Sequence, residues 1–228
     1  MSRLFDMFKL NLMWLIFSLP IVTMGAATTA AYTVTLKMVD DEEGYIAAPF
    51  WQAFKENFKK GSLVGIILEF AAYAIYLDFQ LYHAANKYNT MFLIVGVIAV
   101  FLLYMHMIYA FPLLARYENT IINTLRNSYS IAAKYLGRTA FLTVILLFEI
   151  VFFFWNWKMA FLGVLFCPAC LMLTISGFAK NFFSRIESEN AMVEEESEED
   201  VEEEPEEYTE DDAEDDELAG NMDDESEE

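Results

Sequence analysis

Five long apolar stretches dominate the first part of the chain, at 10–36, 63–81, 91–115, 139–157 and 159–178. Each is close to the roughly 20 residues that an α-helix needs to cross a hydrocarbon core about 30 Å thick. Backbone groups in lipid must bond within their own segment, and the alternation typical of membrane β-strands is absent. The pattern therefore predicts an all-α, polytopic helical membrane bundle with about five transmembrane segments.

The first apolar stretch allows more than one interpretation, because Pro20 and Gly25 interrupt it. It is either one long helix kinked at Pro20, which crosses the membrane, or two short helices that turn back as a re-entrant segment. Basic residues before it and small residues after Gly25 also resemble a cleaved signal peptide. Apolar residues continue to Leu36, however, which favours a retained segment.

Two further segments, 49–60 and 116–138, have the pattern of amphipathic helices. In the first, Phe50, Phe54 and Phe58 repeat every four residues beside Trp51. In the second, one apolar stripe consists of Ile121, Leu125, Tyr129, Ala132 and Leu136. We expect both helices to lie in the membrane interface, where they serve as anchors or as a docking surface for a partner.

Charge divides the chain into two parts that the net charge of −21 conceals. Residues 1–186 hold all 14 Lys and Arg residues with ten acidic ones, whereas 187–228 hold 25 acidic residues and no Lys or Arg. We predict a helical transmembrane domain over 1–186 and a disordered acidic tail over 187–228. With five spans, ten of the basic residues fall on the side of the two amphipathic segments and four on the other, which predicts that those segments and the tail are cytoplasmic.

Carboxylates inside the apolar stretches are the candidates for chemistry within the membrane, where a charge is costly. Glu69 and Glu149 each lie in a span, and Glu69 shares one helical face with Tyr73, Tyr76, Gln80 and His83. This stripe either lines a cavity or forms helix contacts within the bundle. Asp78 points away from Glu69 and is expected to reach the interface.

Several functional classes are excluded by what the sequence lacks. Two His and two Cys are too few for a multi-ligand zinc site or a disulfide scaffold, and no nucleotide-binding, serine-hydrolase or metalloprotease motif occurs. We expect no catalytic residues, no metal, no cofactor and no nucleic-acid partner. Cys167 and Cys170 have the spacing of a redox pair, but they flank Pro168 in an apolar stretch and are interpreted as packing groups.

Three sequence strings resemble the YesL family of bacterial membrane proteins, grouped as domain of unknown function 624. They are NLMWL with LPIVTMG over 11–25, FWQAFKENFK over 50–59, and FPLLARY followed by Asn123 and LRN over 111–127. The chain departs from the family at Ala26, where proline is frequent, and in its acidic tail. Family members resemble helical components of the bacterial cytoplasmic membrane, are often encoded beside carbohydrate ABC-transporter genes, and have no established biochemical activity.

The resemblance leads to one main hypothesis, a non-enzymatic accessory or regulatory protein of a carbohydrate ABC-type uptake system. Its partners are then the lipid bilayer and an ABC transporter permease or another membrane complex. The candidate partner contacts are Lys55, Asn57, Arg116, Asn123 and Arg126.

A second set of residues is predicted to shape the first segment, and it consists of Asn11, Pro20, Thr23 and Gly25. Pro20 frees a carbonyl that Asn11 or Thr23 can satisfy. The alternatives to the accessory role are a small transporter or channel that uses Glu69 and Glu149, and a membrane enzyme or thiol oxidoreductase that uses the two cysteines.

Overall fold

The structure is a computed structural model that describes residues 3–40, 45–84 and 90–202. Within these ranges every regular element is helical and no strand occurs. The chain forms two compact units, Met1–Phe183 and Ser184–Glu228. The helices are α1 Arg3–Ser18, a short 3-10 turn Ile21–Thr23, α2 Met24–Val39, α3 Ala47–Glu56, α4 Phe58–Ala84, α5 Thr90–Arg116, α6 Ile121–Lys134, α7 Leu136–Phe154 and α8 Trp157–Glu202.

Four helical segments of the described chain are long and apolar enough to cross a membrane. They are Phe58–Ala84, Thr90–Arg116, Leu136–Phe154 and Met159–Arg185, and they correspond to the second to fifth predicted spans. The all-α membrane fold predicted from the sequence is thereby confirmed. Most side chains of these segments face outward, as expected for helices that contact lipid.

The first predicted span is not one crossing helix. It is a hairpin of α1 and α2, each 16 residues long, which is shorter than the roughly 20 residues a crossing requires. The indole nitrogen of Trp14 donates a hydrogen bond to the Thr28 hydroxyl at 3.1 Å and joins the two helices across the turn. Of the interpretations that the sequence left open, the structure agrees with two short helices that turn back.

The core of the bundle is built around α2. Four alanines of this helix are fully buried, Ala26, Ala27, Ala30 and Ala31. Small side chains let neighbouring helices approach closely, which replaces the hydrophobic driving force that is missing in lipid. The hairpin therefore supplies the centre of the fold.

Both ends of α2 lie toward the same end of the bundle. Its first turn packs at Gly25 against Gly61 and Gly65, near the start of α4. After its last turn, Asp40 forms an ion pair of 2.7 Å with Lys180, near the end of the last apolar segment. Because four successive spans alternate in direction, the start of the first and the end of the fourth face the same side. The helix α2 therefore does not cross the bilayer.

Hydroxyl groups fix the spans to one another. The Tyr109 and Thr139 hydroxyls are hydrogen-bonded at 2.9 Å, and the Tyr104 hydroxyl donates to that of Thr143 at 2.7 Å, so that α5 is tied to α7 at two levels. The Thr35 and Ser176 hydroxyls, both buried, lie 2.7 Å apart and join α2 to α8. Such bonds between helices contribute about 0.6–2 kcal/mol each in membranes.

The disordered tail over 187–228 stays a prediction. Helix α8 continues into its first part, to Glu202, through a run of glutamates. Glutamate is a strong helix former. The rest of the predicted tail, 203–228, lies outside the described residues.

Candidate functional site

Thr23, one of the residues predicted to shape the first segment, lies at the hairpin turn and bonds to its backbone. Pro20 has an extended backbone and precedes the 3-10 turn. The Thr23 hydroxyl donates to the carbonyl of Phe17 at 2.7 Å and lies 2.9 Å from the carbonyl of Pro20. The Pro20 carbonyl already accepts the backbone N–H of Thr23 at 2.9 Å, so the hydroxyl supplies a missing donor chiefly at Phe17, where helix α1 ends.

Asn11 satisfies a freed carbonyl too, but at a different proline from the one expected. Its side-chain amide donates to the carbonyl of Val164 at 3.0 Å. A proline within a helix removes the hydrogen bond to the carbonyl four residues earlier, and Pro168 lies inside α8 four residues after Val164. Asn11 is 1% exposed, so this hydrogen bond is formed in the protein interior. It links the first and last helices of the bundle.

Gly25 marks the closest approach between α2 and α4. A Cβ atom at this position would lie 2.1 Å from the Gly61 carbonyl oxygen and 2.8 Å from the Gly65 Cα. Gly61 and Gly65 are four residues apart and form a G-x-x-x-G pattern, which is typical of close helix contacts in membranes. Sequence analysis identified Gly25 and missed the two partner glycines, although their spacing was visible.

The stripe predicted on α4 is divided between two environments. Glu69 lines a cavity of about 300 Å³ between α1, α2, α4, α5 and α8. Tyr73 and Tyr76 are 59% and 56% exposed on the outside of the bundle, and the Gln80 amide donates to the Tyr76 hydroxyl at 2.7 Å. His83, one turn further on, is exposed too. The stripe therefore does not form one cavity lining, because the cavity ends at Ala72 while α4 continues outward.

Glu149 lies away from that cavity, between α7 and α8. The Thr174 hydroxyl donates to its Oε1 at 2.5 Å, while its Oε2 is buried without a partner among the described residues. Cys167 and Cys170 are free thiols of the neighbouring helix, the first buried and the second half-buried. The two candidate carboxylates are thus in separate places, and the structure does not bring them into one site.

Asp78 does not reach the interface as expected. A Cβ on Gly96 would lie 2.6 Å from its Oδ2, so the carboxylate packs against the bare backbone of α5. This oxygen is buried and has no hydrogen-bond partner within the part of the chain that the structure describes. Only a glycine leaves room for the carboxylate at this contact.

Helix α3 forms as predicted, but its apolar face contacts protein. Phe50 and Phe54 are buried, and both pack on Phe17 of α1 with ring centroids 5.6 and 5.0 Å apart. Trp51 and Phe58 remain 46% and 42% exposed and are available to the interface. The hairpin thus takes up most of the surface that was expected to lie on lipid.

Helix α6 also forms, with Thr120 as its N-cap, and most of its apolar stripe does not face the bundle. Its buried residues are Thr124, Ser128, Ile131 and Ala132, and only Ala132 belongs to that stripe. Tyr129 and Leu136 are 46% and 51% exposed. Small hydroxyl residues face the bundle because they permit close packing, and the larger apolar side chains are left to the surroundings.

The candidate partner contacts differ in whether their side chains also stabilise the fold. Lys55, Asn123 and Arg126 are exposed on α3 and α6. Asn57 caps α3 and its amide donates to the Ala53 carbonyl at 3.2 Å. Arg116 lies over the ring of Phe183, 5.4 Å from its centroid. The first three are therefore the better positions for testing a partner, since the other two also hold the fold.

The described residues contain no cluster of three or more His, Cys, Asp or Glu side chains able to hold a metal ion. His106, the isolated histidine of α5, bonds through Nδ1 to the Leu102 carbonyl at 2.7 Å and stacks on Tyr129. Its contacts are those of a structural residue.

Fold and site together define a helical membrane protein whose core is an N-terminal hairpin packed among apolar spans. Residues 7–79 match the family described as protein of unknown function, DUF624. This segment contains the hairpin, α3 and most of α4, so the resemblance predicted from the sequence strings is confirmed there.

A relative is the uncharacterized protein YteU of Bacillus subtilis (strain 168), 28% identical over 112 residues. The match covers 47% of this chain and 50% of the relative, so the chain spans about half the length of the curated protein it resembles. No solved structure matches the chain.

Proposed function

We propose that the chain is a non-enzymatic accessory protein of the bacterial cytoplasmic membrane that binds and regulates a carbohydrate ABC-type uptake system. The observation that carries the proposal is the pair of helices α3 and α6. Each follows or precedes a span at the same end of the bundle and buries one face against protein. Each leaves a basic and polar face exposed, with Lys55 on α3, and Asn123 and Arg126 on α6.

The exposed faces suit a protein partner. The hairpin covers Phe50 and Phe54 of α3, so apart from Trp51 what this helix leaves exposed is chiefly polar. Charged groups at the edge of an interface steer association and select partners more than they add affinity. The excess of Lys and Arg on this side of the spans supports a cytoplasmic position for both helices and for the acidic C-terminal segment. An ABC permease, the partner class that the family resemblance implies, offers cytoplasmic loops at that level.

Affinity purification from native membranes tests this role. The full chain carries a tag, and brief cross-linking precedes solubilisation and mass spectrometry. We expect a sugar-uptake permease to be recovered with the unaltered chain and lost with the double variant Lys55→Glu, Arg126→Glu. Lys158→Glu, at the start of α8 toward the opposite end of the bundle, is the charge-reversal control and is expected to retain the partner. Equal recovery with both variants, or no permease at all, would refute the accessory role.

A small transporter or channel is a second candidate, and one observation favours it. Glu69 lines a cavity of about 300 Å³ inside a membrane domain. Because Glu149 lies elsewhere, transport would depend on Glu69 alone. Flux of organic cations into liposomes is expected to disappear with Glu69→Gln and to persist with Glu149→Gln. Loss of flux in both variants, or its absence from the unaltered chain, would count against this candidate.

A further inference from the structure

The cavity beside Glu69 has one carboxylate and otherwise uncharged walls. It lies between five helices and measures about 300 Å³, at the lower end of the usual range for small-molecule sites. Three aromatic rings line it, those of Trp14, Tyr32 and Phe111, together with three methionines. Lysine and arginine are absent from its lining, so the carboxylate has no counter-charge there.

The carboxylate is unpaired at the wall. In the described part of the chain Glu69 has neither a hydrogen-bond partner nor an ion-pair partner. An ionised group at this depth is costly unless a positive charge or a set of donors compensates it. The lining also contains the hydroxyls of Thr28 and Tyr32, and neither is hydrogen-bonded to Glu69; that of Thr28 accepts the Trp14 indole proton.

The uncharged walls of the cavity determine which kind of cation can pair with the Glu69 carboxylate. Small metal ions require several oxygen ligands in place of their water shell, and the cavity offers one carboxylate and apolar rings. An organic cation brings its own apolar surface, and quaternary ammonium groups are held by the faces of aromatic rings. Methionine side chains adapt to ligands of different shape.

The cavity opens at the lateral surface of the bundle, which faces the hydrocarbon layer. Met24 and Met107 are 40% and 51% exposed, and Ala72 is exposed, whereas Tyr32, Phe111 and Met172 at the back are buried. Ala72 and Met107 lie within segments that cross the membrane, so a ligand can enter from the hydrocarbon layer. That route favours an amphiphilic molecule over a strongly hydrated one.

We propose that this cavity binds a lipophilic organic monocation, such as an aromatic quaternary amine, with Glu69 as its counter-ion and the aromatic rings of Trp14, Tyr32 and Phe111 around the positive group. The proposal names a ligand class for the site of the second candidate function, but it requires binding only. A chain that binds the cation without moving it would refute transport and leave the site intact.

Equilibrium dialysis of the purified full chain with radiolabelled benzyltrimethylammonium tests the proposal. We expect saturable binding of one cation per chain, weakened about tenfold or more by Glu69→Gln because the charge pair is lost. Phe111→Leu keeps the apolar volume and removes one ring, so we expect roughly threefold weaker binding. Asp78→Asn removes a carboxylate of the same helix that does not line the cavity, and is the matched control with unchanged binding.

Two results would overturn the site. One is saturable binding that Glu69→Gln leaves unchanged; the other is the absence of saturable binding to the unaltered chain. A thermal melt of each variant verifies that the fold persists. If Glu69→Gln is unstable, Glu69→Asp provides the second test, since the shorter carboxylate is expected to retain the preference for a cation over its neutral carbon analogue. Loss of that preference would equally refute the proposal.

Discussion

Replacement of Gly25 by alanine is the sharpest test of how the hairpin packs. The added methyl carbon would lie 2.1 Å from the Gly61 carbonyl oxygen and 2.8 Å from the Gly65 Cα. Both are backbone atoms, so no change of rotamer can relieve the contact. Raising the shorter separation to 3.0 Å, below which real Cβ contacts essentially never fall, requires α2 and α4 to move apart by about 0.9 Å.

The cost of that displacement follows from the burial around it. Fully buried alanines continue the contact from Gly25 along α2, and they lose close packing when the helices separate. Overpacking of a well-packed core costs about 1–3 kcal/mol. For a chain of this size each kcal/mol corresponds to roughly 2–4 °C, so we expect the melting temperature of Gly25→Ala to fall by roughly 2–12 °C.

Thermal unfolding in detergent, followed by tryptophan fluorescence, measures this effect. Gly177→Ala is the control, because a Cβ at that position in α8 would meet nothing within 4 Å. Gly65→Ala, where a Cβ would lie 2.8 Å from the Gly25 Cα, is expected to fall between the two. If Gly25→Ala melts at the same temperature as Gly177→Ala, α2 and α4 do not approach as described.

Two further predictions concern the hydrogen bonds that join the hairpin to α8. Asn11→Ala removes the donor to the Val164 carbonyl and is expected to lower the free energy of unfolding by about 1–2 kcal/mol. The loss is expected to be smaller in a Pro168→Ala background, because the backbone N–H restored at position 168 then bonds that carbonyl. A double-mutant cycle of melting temperatures checks this, and additive effects would show that the proline does not create the need for Asn11. Thr35→Val leaves the buried Ser176 hydroxyl without its partner at 2.7 Å and is expected to lower the free energy of unfolding by about 1 kcal/mol. In a Ser176→Ala background the same substitution is expected to cost clearly less. Equal costs in the two backgrounds would contradict the contact.

The features that the sequence predicted well each depend on residues within one segment of the chain. The four spans are visible because an apolar run of sufficient length has few alternatives. Thr23 was identified because the carbonyls it satisfies lie within six residues of it along the chain. Gly25 was identified as a shaping residue for a similar reason, since it follows the break at Pro20.

What the sequence did not predict depends on partners far apart along the chain. The carbonyl that Asn11 satisfies is 153 residues away, and no local pattern connects it to Pro168. The face of α6 that packs on the bundle has no apolar pattern to reveal it, because it includes the small hydroxyl residues Thr124 and Ser128. The polar stripe of α4 allowed either a cavity lining or helix contacts, and of its members only Glu69 lines the cavity.

The fold depends most on the packing of the first apolar segment, through α2, against the last span in α8. A chain with Thr35→Cys and Ser176→Cys, and with Cys167 and Cys170 replaced by alanine, tests this directly in native membranes. The two native hydroxyls lie 2.7 Å apart, so we expect a rapid and nearly complete intramolecular disulfide. Thr33→Cys with Ser176→Cys is the control, because the Thr33 hydroxyl bonds within its own helix at 3.2 Å. A Thr35 pair that oxidises no faster than the control pair would contradict the packing of α2 on α8.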